Sequence, residues 1–88
     1  MTETNRLPWE IEKIINVSAA ISCHLTTGAS TGEQIAAAFV LNRMEYLPEG
    51  YSDVIEAWER LGDWQGYVQT VKADYMYLIK ERVKKLSS

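Results

Sequence analysis

Apolar positions recur along most of this chain at the spacing of an α-helix, and in one stretch they hardly lapse at all. Behind Ser30-Thr31-Gly32-Glu33, the run Ile35-Ala36-Ala37-Ala38-Phe39-Val40-Leu41 is apolar almost all the way round. A helix hydrophobic on every side belongs inside a molecule, so this segment is expected at the centre of the fold. Its start is marked as well. Ser30 followed three residues later by Glu33 is a capping box, in which each side chain satisfies a backbone N–H at the helix start. The central helix is expected over residues 31–46, ending at the Leu47-Pro48-Glu49-Gly50-Tyr51 turn.

Three further helices follow from the same periodicity. The first is expected over residues 8–26, opening near Pro8, which suits a first turn because its missing N–H is not needed there. Ile11, Ile14, Ile15, Ser18, Ser22 and Leu25 recur on one side of it, with Ile21 beside them. Thr26-Thr27-Gly28 should end it, with Gly28 as the left-handed residue. A short third helix is expected over residues 53–61, capped by Ser52 or Asp53, with Val54, Ile55, Trp58 and Leu61 as its buried stripe. Gly62 should close that helix, and Asp63 should cap a fourth over residues 64–86. This last helix carries Trp64, Val68, Val71, Tyr75, Leu78, Ile79 and Leu86 on one side, and Gly66 weakens its first turn. About 23 residues of helix extend about 34 Å. That is long for so small a domain.

The predicted fold is therefore all-α, a small four-helix bundle-like domain with helix 2 central and a long C-terminal helix. All 88 residues fit one domain, with residues 1–6 and 87–88 as flexible ends. A core built from so few residues is thin, and a partner would add buried surface to it. No stretch reaches the roughly 18 consecutive apolar residues of a membrane span. No secretory signal is visible at the start of the chain, and a single cysteine excludes an internal disulfide framework. The expected location is the cytoplasm.

Charge adds one asymmetry. The net charge is -3, which argues against a binder held by phosphates. Glu45, Glu49, Asp53, Glu56, Glu59 and Asp63 make the third quarter acidic, whereas Lys80, Arg82, Lys84 and Lys85 make the end basic.

Candidate chemistry is sparse. Cys23 and His24 are neighbours on a helix and point about 100° apart, and one of each falls short of the four ligands of a structural zinc. The Gly28-Ala29-Ser30-Thr31-Gly32 loop lacks the spacing and the lysine of a phosphate loop, and Glu33 would repel the anion. The carboxylates at Asp53, Glu56 and Glu59 read as a solvated face. No catalytic residue, metal ligand or cofactor-binding residue is assigned, and no enzyme is expected.

What remains is surface. Tyr, Trp and Met on a partly exposed face are the residue types enriched where proteins meet. The sequence points to a small non-enzymatic interaction or regulatory accessory module that presents a helical surface to a protein partner, with a homodimer as the simplest form. The expected surface is Tyr67, Met76, Tyr77, Ile79 and Val83, rimmed by Lys80, Arg82, Lys84 and Lys85. An alternative is a nucleic-acid-binding regulator using the helix 3–Gly62–helix 4 corner, with Gln65, Gln69 and Thr70 as readers and the basic tail on phosphates. The acidic residues around that corner oppose it. A third is a small-molecule binder with a pocket between helices 2 and 4.

Overall fold

The structure is a computed structural model that describes residues 7–25, 28–51 and 53–87. Among these there is no strand, and the chain forms a small all-α bundle of four helical rods. The first is α1 (Trp9–Ser22) and the second α2 (Thr31–Leu41), followed by a single 3-10 turn at Met44–Tyr46. The short third rod is α3 (Val54–Arg60). The fourth comprises α4 (Trp64–Thr70), a π turn (Val71–Tyr75) and α5 (Met76–Ser87) in unbroken helical backbone. Residues 1–6, Thr26, Thr27, Ser52 and Ser88 lie outside the described residues, and with them the expectations of a flexible N-terminus, of flexibility at Ser88 and of a cap from Ser52.

The core forms where four helices offer branched or small side chains to one another. Ile11, Ile14, Ile15 and Ala19 of α1 meet Ile35, Ala36 and Val40 of α2, and Val68, Val71 and Ile79 of the last rod close over them. Five of the eleven residues of α2 are buried, so it holds the central place expected of an all-apolar helix. It shares that place with α1, which packs on α2, α4, the π turn and α5. The contacts of α1 with α5 climb both helices together. Glu12 and Asn16 meet Arg82, and Cys23 meets Val83 and Ser87, so the two run in the same sense.

The starts of the helices follow the sequence closely. Glu33 N–H donates to Ser30 Oγ at 3.2 Å and Ser30 N–H donates to Glu33 Oε1 at 3.0 Å, which completes the capping box. The Asp53 carboxylate accepts from the N–H groups of Ile55 and Glu56. Asp63, by contrast, makes no side-chain cap. Its backbone is already helical, and an N-cap needs an extended residue to aim its side chain back at the first turn.

The ends of the first two helices differ from expectation for one shared reason. α1 stops at Ser22 rather than residue 26, because His24 takes the left-handed conformation (φ 60°) expected of Gly28. His24 N–H then donates to Ile21 O and Leu25 N–H to Ala20 O, the two bonds of a Schellman motif. α2 stops at Leu41 rather than Tyr46 in the same way. Asn42 has φ 57°, its N–H donates to Phe39 O, and Arg43 N–H donates to Ala38 O. Gly62, with φ 56°, is the left-handed residue after α3, as expected.

Two further corrections concern the last two rods. Only Ala57 of α3 is buried, with Leu61 just beyond its end; Val54 is 42% exposed and Ile55 71% exposed. Ile55 lies two residues from Ala57, almost the opposite side of a helix, so burying one turns the other to solvent. The fourth helix is regular from Trp64 despite Gly66, widens into the π turn, and includes Ser87, which had been grouped with the flexible end. No helix among the described residues is long and apolar enough to cross a membrane.

Candidate functional site

Among the concavities lined by described residues are two of similar volume. The first surrounds the start of α2, has a volume of about 550 Å³, and is lined by Trp9, Ser30, Thr31, Glu33, Arg60 and Trp64 among others. A helix N-terminus attracts anions through its free N–H groups. Here the capping box engages two of these groups and sets the Glu33 carboxylate among the rest. The phosphate cradle is thus opposed in three dimensions by the same residue that opposed it in the sequence. Its aromatic wall is structural: Trp9 and Trp64 meet edge-to-face at 6.0 Å, and Trp64 meets Tyr67 in the same manner at 6.0 Å.

The second concavity is an open groove of about 570 Å³ between α2, α3 and the last rod. Phe39 and Trp58 form one side and stand edge-to-face, with ring centroids 5.0 Å apart. Val68, Gln69, Lys72 and Ala73 form the other, and the last two belong to the π turn. π turns are rare within helices and recur at functional sites. Trp58 also ties the groove to the exposed face of α3. Val54 and Ile55 lie four and three residues before it and are therefore its neighbours on the helix surface. Val54 and Ile55, 42% and 71% exposed, thus add apolar surface on α3 next to Trp58 in helix spacing, outside the groove lining itself.

Placed in three dimensions, the surface expected on the last helix divides. Ile79 is 3% exposed and belongs to the core, so it presents nothing to a partner. Met76, Val83 and Tyr67 are half-buried and pack against that core, because positions 76, 79 and 83 share the inward face of α5. Tyr77, one residue beyond Met76, is 57% exposed. The expected rim divides too. Arg82 is half-buried, hydrogen-bonds Asn16 and lies 3.8 Å from Glu12, while Lys80, Lys84 and Lys85 are exposed.

Of the residues proposed to read nucleic acid, Gln65 spends its side-chain amide on the Trp58 carbonyl at 2.9 Å, bracing α3 against α4. Gln69 lines the apolar groove and Thr70 is half-buried. Cys23 is half-buried, with its thiol 3.8 Å from the Val83 carbonyl oxygen, and His24 is exposed at the end of α1. Among the described residues no three His, Cys, Asp or Glu side chains group as metal ligands would.

The sequence reading passed over Phe39, Ile55 and Ala73 as surface groups. Phe39 was hidden in an all-apolar run, and Ile55 sat in a stripe too short to fix its phase. Comparison with protein families, with curated proteins and with solved structures returns no match for this chain.

Proposed function

We propose that the protein is a non-enzymatic interaction module, a small regulatory or accessory protein of the cytoplasm, whose contact surface is the groove between α2, α3 and the π turn. The observation that carries this reading is the 71% exposure of Ile55 beside an open groove walled by Phe39, Trp58, Val68 and Ala73. Single exposed apolar residues are ordinary on protein surfaces, but exposed apolar side chains on the helix that walls an apolar groove favour a docking site. Aromatic side chains in such a strip are the anchors around which binding energy concentrates. The short α3 suits the role, since among the described residues it packs chiefly on α2, with one side-chain hydrogen bond from α4, and a lightly held helix can adjust to what it meets. Self-association is the simplest form of such a contact.

The test is capture of the tagged protein with its binding partners from native lysate, with and without nuclease, alongside the variants Ala73→Glu and Ile55→Glu. Both positions are exposed, so both variants should keep wild-type helicity. A protein retained in stoichiometric amount by the wild type after nuclease, and lost with either variant, is the expected result. Retention unaffected by both variants would remove the groove from the reading. Recovery that vanishes with nuclease would favour the nucleic-acid alternative instead. A groove of about 570 Å³ also falls within the size of small-molecule sites. For that reading, a compound that quenches tryptophan fluorescence in the wild type but in neither Ala73→Glu nor Trp58→Phe is the deciding observation.

A further inference from the structure

The groove carries one charge, and it is positive. Lys72 is the ionisable residue of a lining otherwise made of Phe39, Trp58, Val68, Gln69 and Ala73. It is exposed and takes part in no ion pair among the described residues. A complementary occupant brings an apolar side chain with a carboxylate close beside it. The chain presents that combination itself, on the outer edge of α3. At about 100° per residue, Ile55 lies about 60° from Trp58 around the helix axis, and Glu59 lies about 40° beyond Ile55. Four residues apart, the two are neighbours on the helix surface. Ile55 is 71% exposed, and Glu59 is exposed and likewise outside any ion pair among the described residues. Glu56 and Arg60 lie farther round the helix, toward the other concavity, which Arg60 lines. They take no part.

We infer that the groove receives the outer edge of α3 from a second copy of this chain, with Ile55 seated between Trp58 and Ala73 and Glu59 facing Lys72. The inference rests on the groove being an interaction surface and names what fills it. Knob and groove are adjacent, because the helix that bears Ile55 also supplies Trp58 to the groove wall. A two-fold axis beside α3 therefore lets each copy seat its Ile55 in the other, and the contact forms twice and closes as a dimer. A knob far from its groove would instead add copies head to tail without closure. Burial of the exposed isoleucine supplies the affinity. The two Glu59–Lys72 pairs set register and orientation. Light attachment of α3 lets its edge settle into the facing groove.

The experiment is a mass measurement by light scattering across a dilution series, at low and high salt. It compares the wild type with Glu59→Lys, Lys72→Glu, the chain carrying both changes, and Ile55→Glu. All three positions are exposed, so folding is preserved and circular dichroism checks it. The wild type should approach dimer mass at the top of the series. Each single charge reversal should associate at least about tenfold more weakly at low salt, because like charges then meet at both contacts, and high salt should narrow that gap. The doubly reversed chain should recover wild-type association, since each pair is again of opposite sign. An equimolar mixture of the two single variants should recover it as well, for the same reason. Ile55→Glu should remain monomeric. A wild type of monomer mass throughout, single reversals that associate as the wild type does, or failure of either rescue would each overturn the second-copy occupant. The groove reading would survive any of these if Ala73→Glu still abolishes capture of another protein, so the two failures are separable.

Discussion

The rings of Phe39 and Trp58 stand edge-to-face, with centroids 5.0 Å apart and planes inclined at 65°. This pair holds α3 to α2, alongside the buried Ala57, Leu61 just beyond its end, and the hydrogen bond from Gln65 to the Trp58 carbonyl. A seven-residue helix has almost no stability of its own, because nucleation costs more than so few hydrogen bonds return. The shape of the groove therefore depends on a few contacts, of which the ring pair lies in its wall.

Replacing Trp58 by Ala should accordingly release α3 before it unfolds the rest. Trp58 is only half-buried, so the loss should be about 2 kcal/mol, below the range for a fully buried tryptophan. Hydrogen exchange should show the α3 amides losing protection while those of α1 and α2 keep most of theirs. Uniform loss of protection across all four rods would mean that α3 is part of the cooperative core.

His24 holds the left-handed conformation at the end of α1 with φ 60°, a region in which a side chain is strained. Glycine there should stabilise the protein by about 0.5 kcal/mol, the relief of strain outweighing the extra freedom of the unfolded chain. His24→Val should cost about 1 kcal/mol or more, since a β-branched residue fits that region worst. Asn42 holds the same conformation after α2, but asparagine tolerates it, so Asn42→Gly should change little. Urea denaturation of the three variants gives the order directly.

Much of the architecture was legible because it rests on local chemistry. Ser30 and Glu33 announce the start of α2, Asp53 that of α3, and Gly62 the corner after it, each through one side chain or one backbone freedom. The ends of α1 and α2 were illegible because His24 and Asn42 do there what glycine usually does, and nothing in their own identity requires it. Ile55 was misplaced for a different reason. Over seven residues a stripe of Val54, Ile55, Trp58 and Leu61 fits more than one rotation about the helix axis, and the choice falls to the burial of Ala57. Ile79 and Tyr77 show the same limit at the candidate surface. Which of two apolar neighbours faces inward is decided by α1, far away in sequence.

The two N-terminal caps should differ in reach. Ser30→Ala breaks one half of the capping box on the central helix and should lower the stability of the whole domain by about 1 kcal/mol. Asp53→Ala removes a comparable cap from α3, so part of its effect should appear as local fraying. The global midpoint of unfolding should then move less for Asp53→Ala than for Ser30→Ala, while exchange at Ile55 and Glu56 accelerates. Equal global shifts would contradict the weak attachment of α3.

Ser18 is the polar residue of the core that nothing satisfies. It is fully buried on α1 among isoleucines and alanine, and its Oγ has no hydrogen-bond partner among the described residues. An unsatisfied buried hydroxyl costs about 1–3 kcal/mol, and serine is also a poorer helix former than alanine. Ser18→Ala removes one oxygen and leaves a cavity smaller than a methyl group, so it should stabilise the domain by about 1 kcal/mol. In a domain of this size that raises the thermal midpoint by about 4–8 °C. Ser18→Val separates polarity from volume. It also deletes the hydroxyl but adds a methyl group where α1 and its neighbours are packed closely, and overpacking of that kind costs about 1–3 kcal/mol. The expected order of midpoints is therefore Ala above Ser, with Val no higher than Ser. A midpoint that falls in Ser18→Ala would mean that the hydroxyl is held by a hydrogen bond, and that this polar group contributes to the stability of the core.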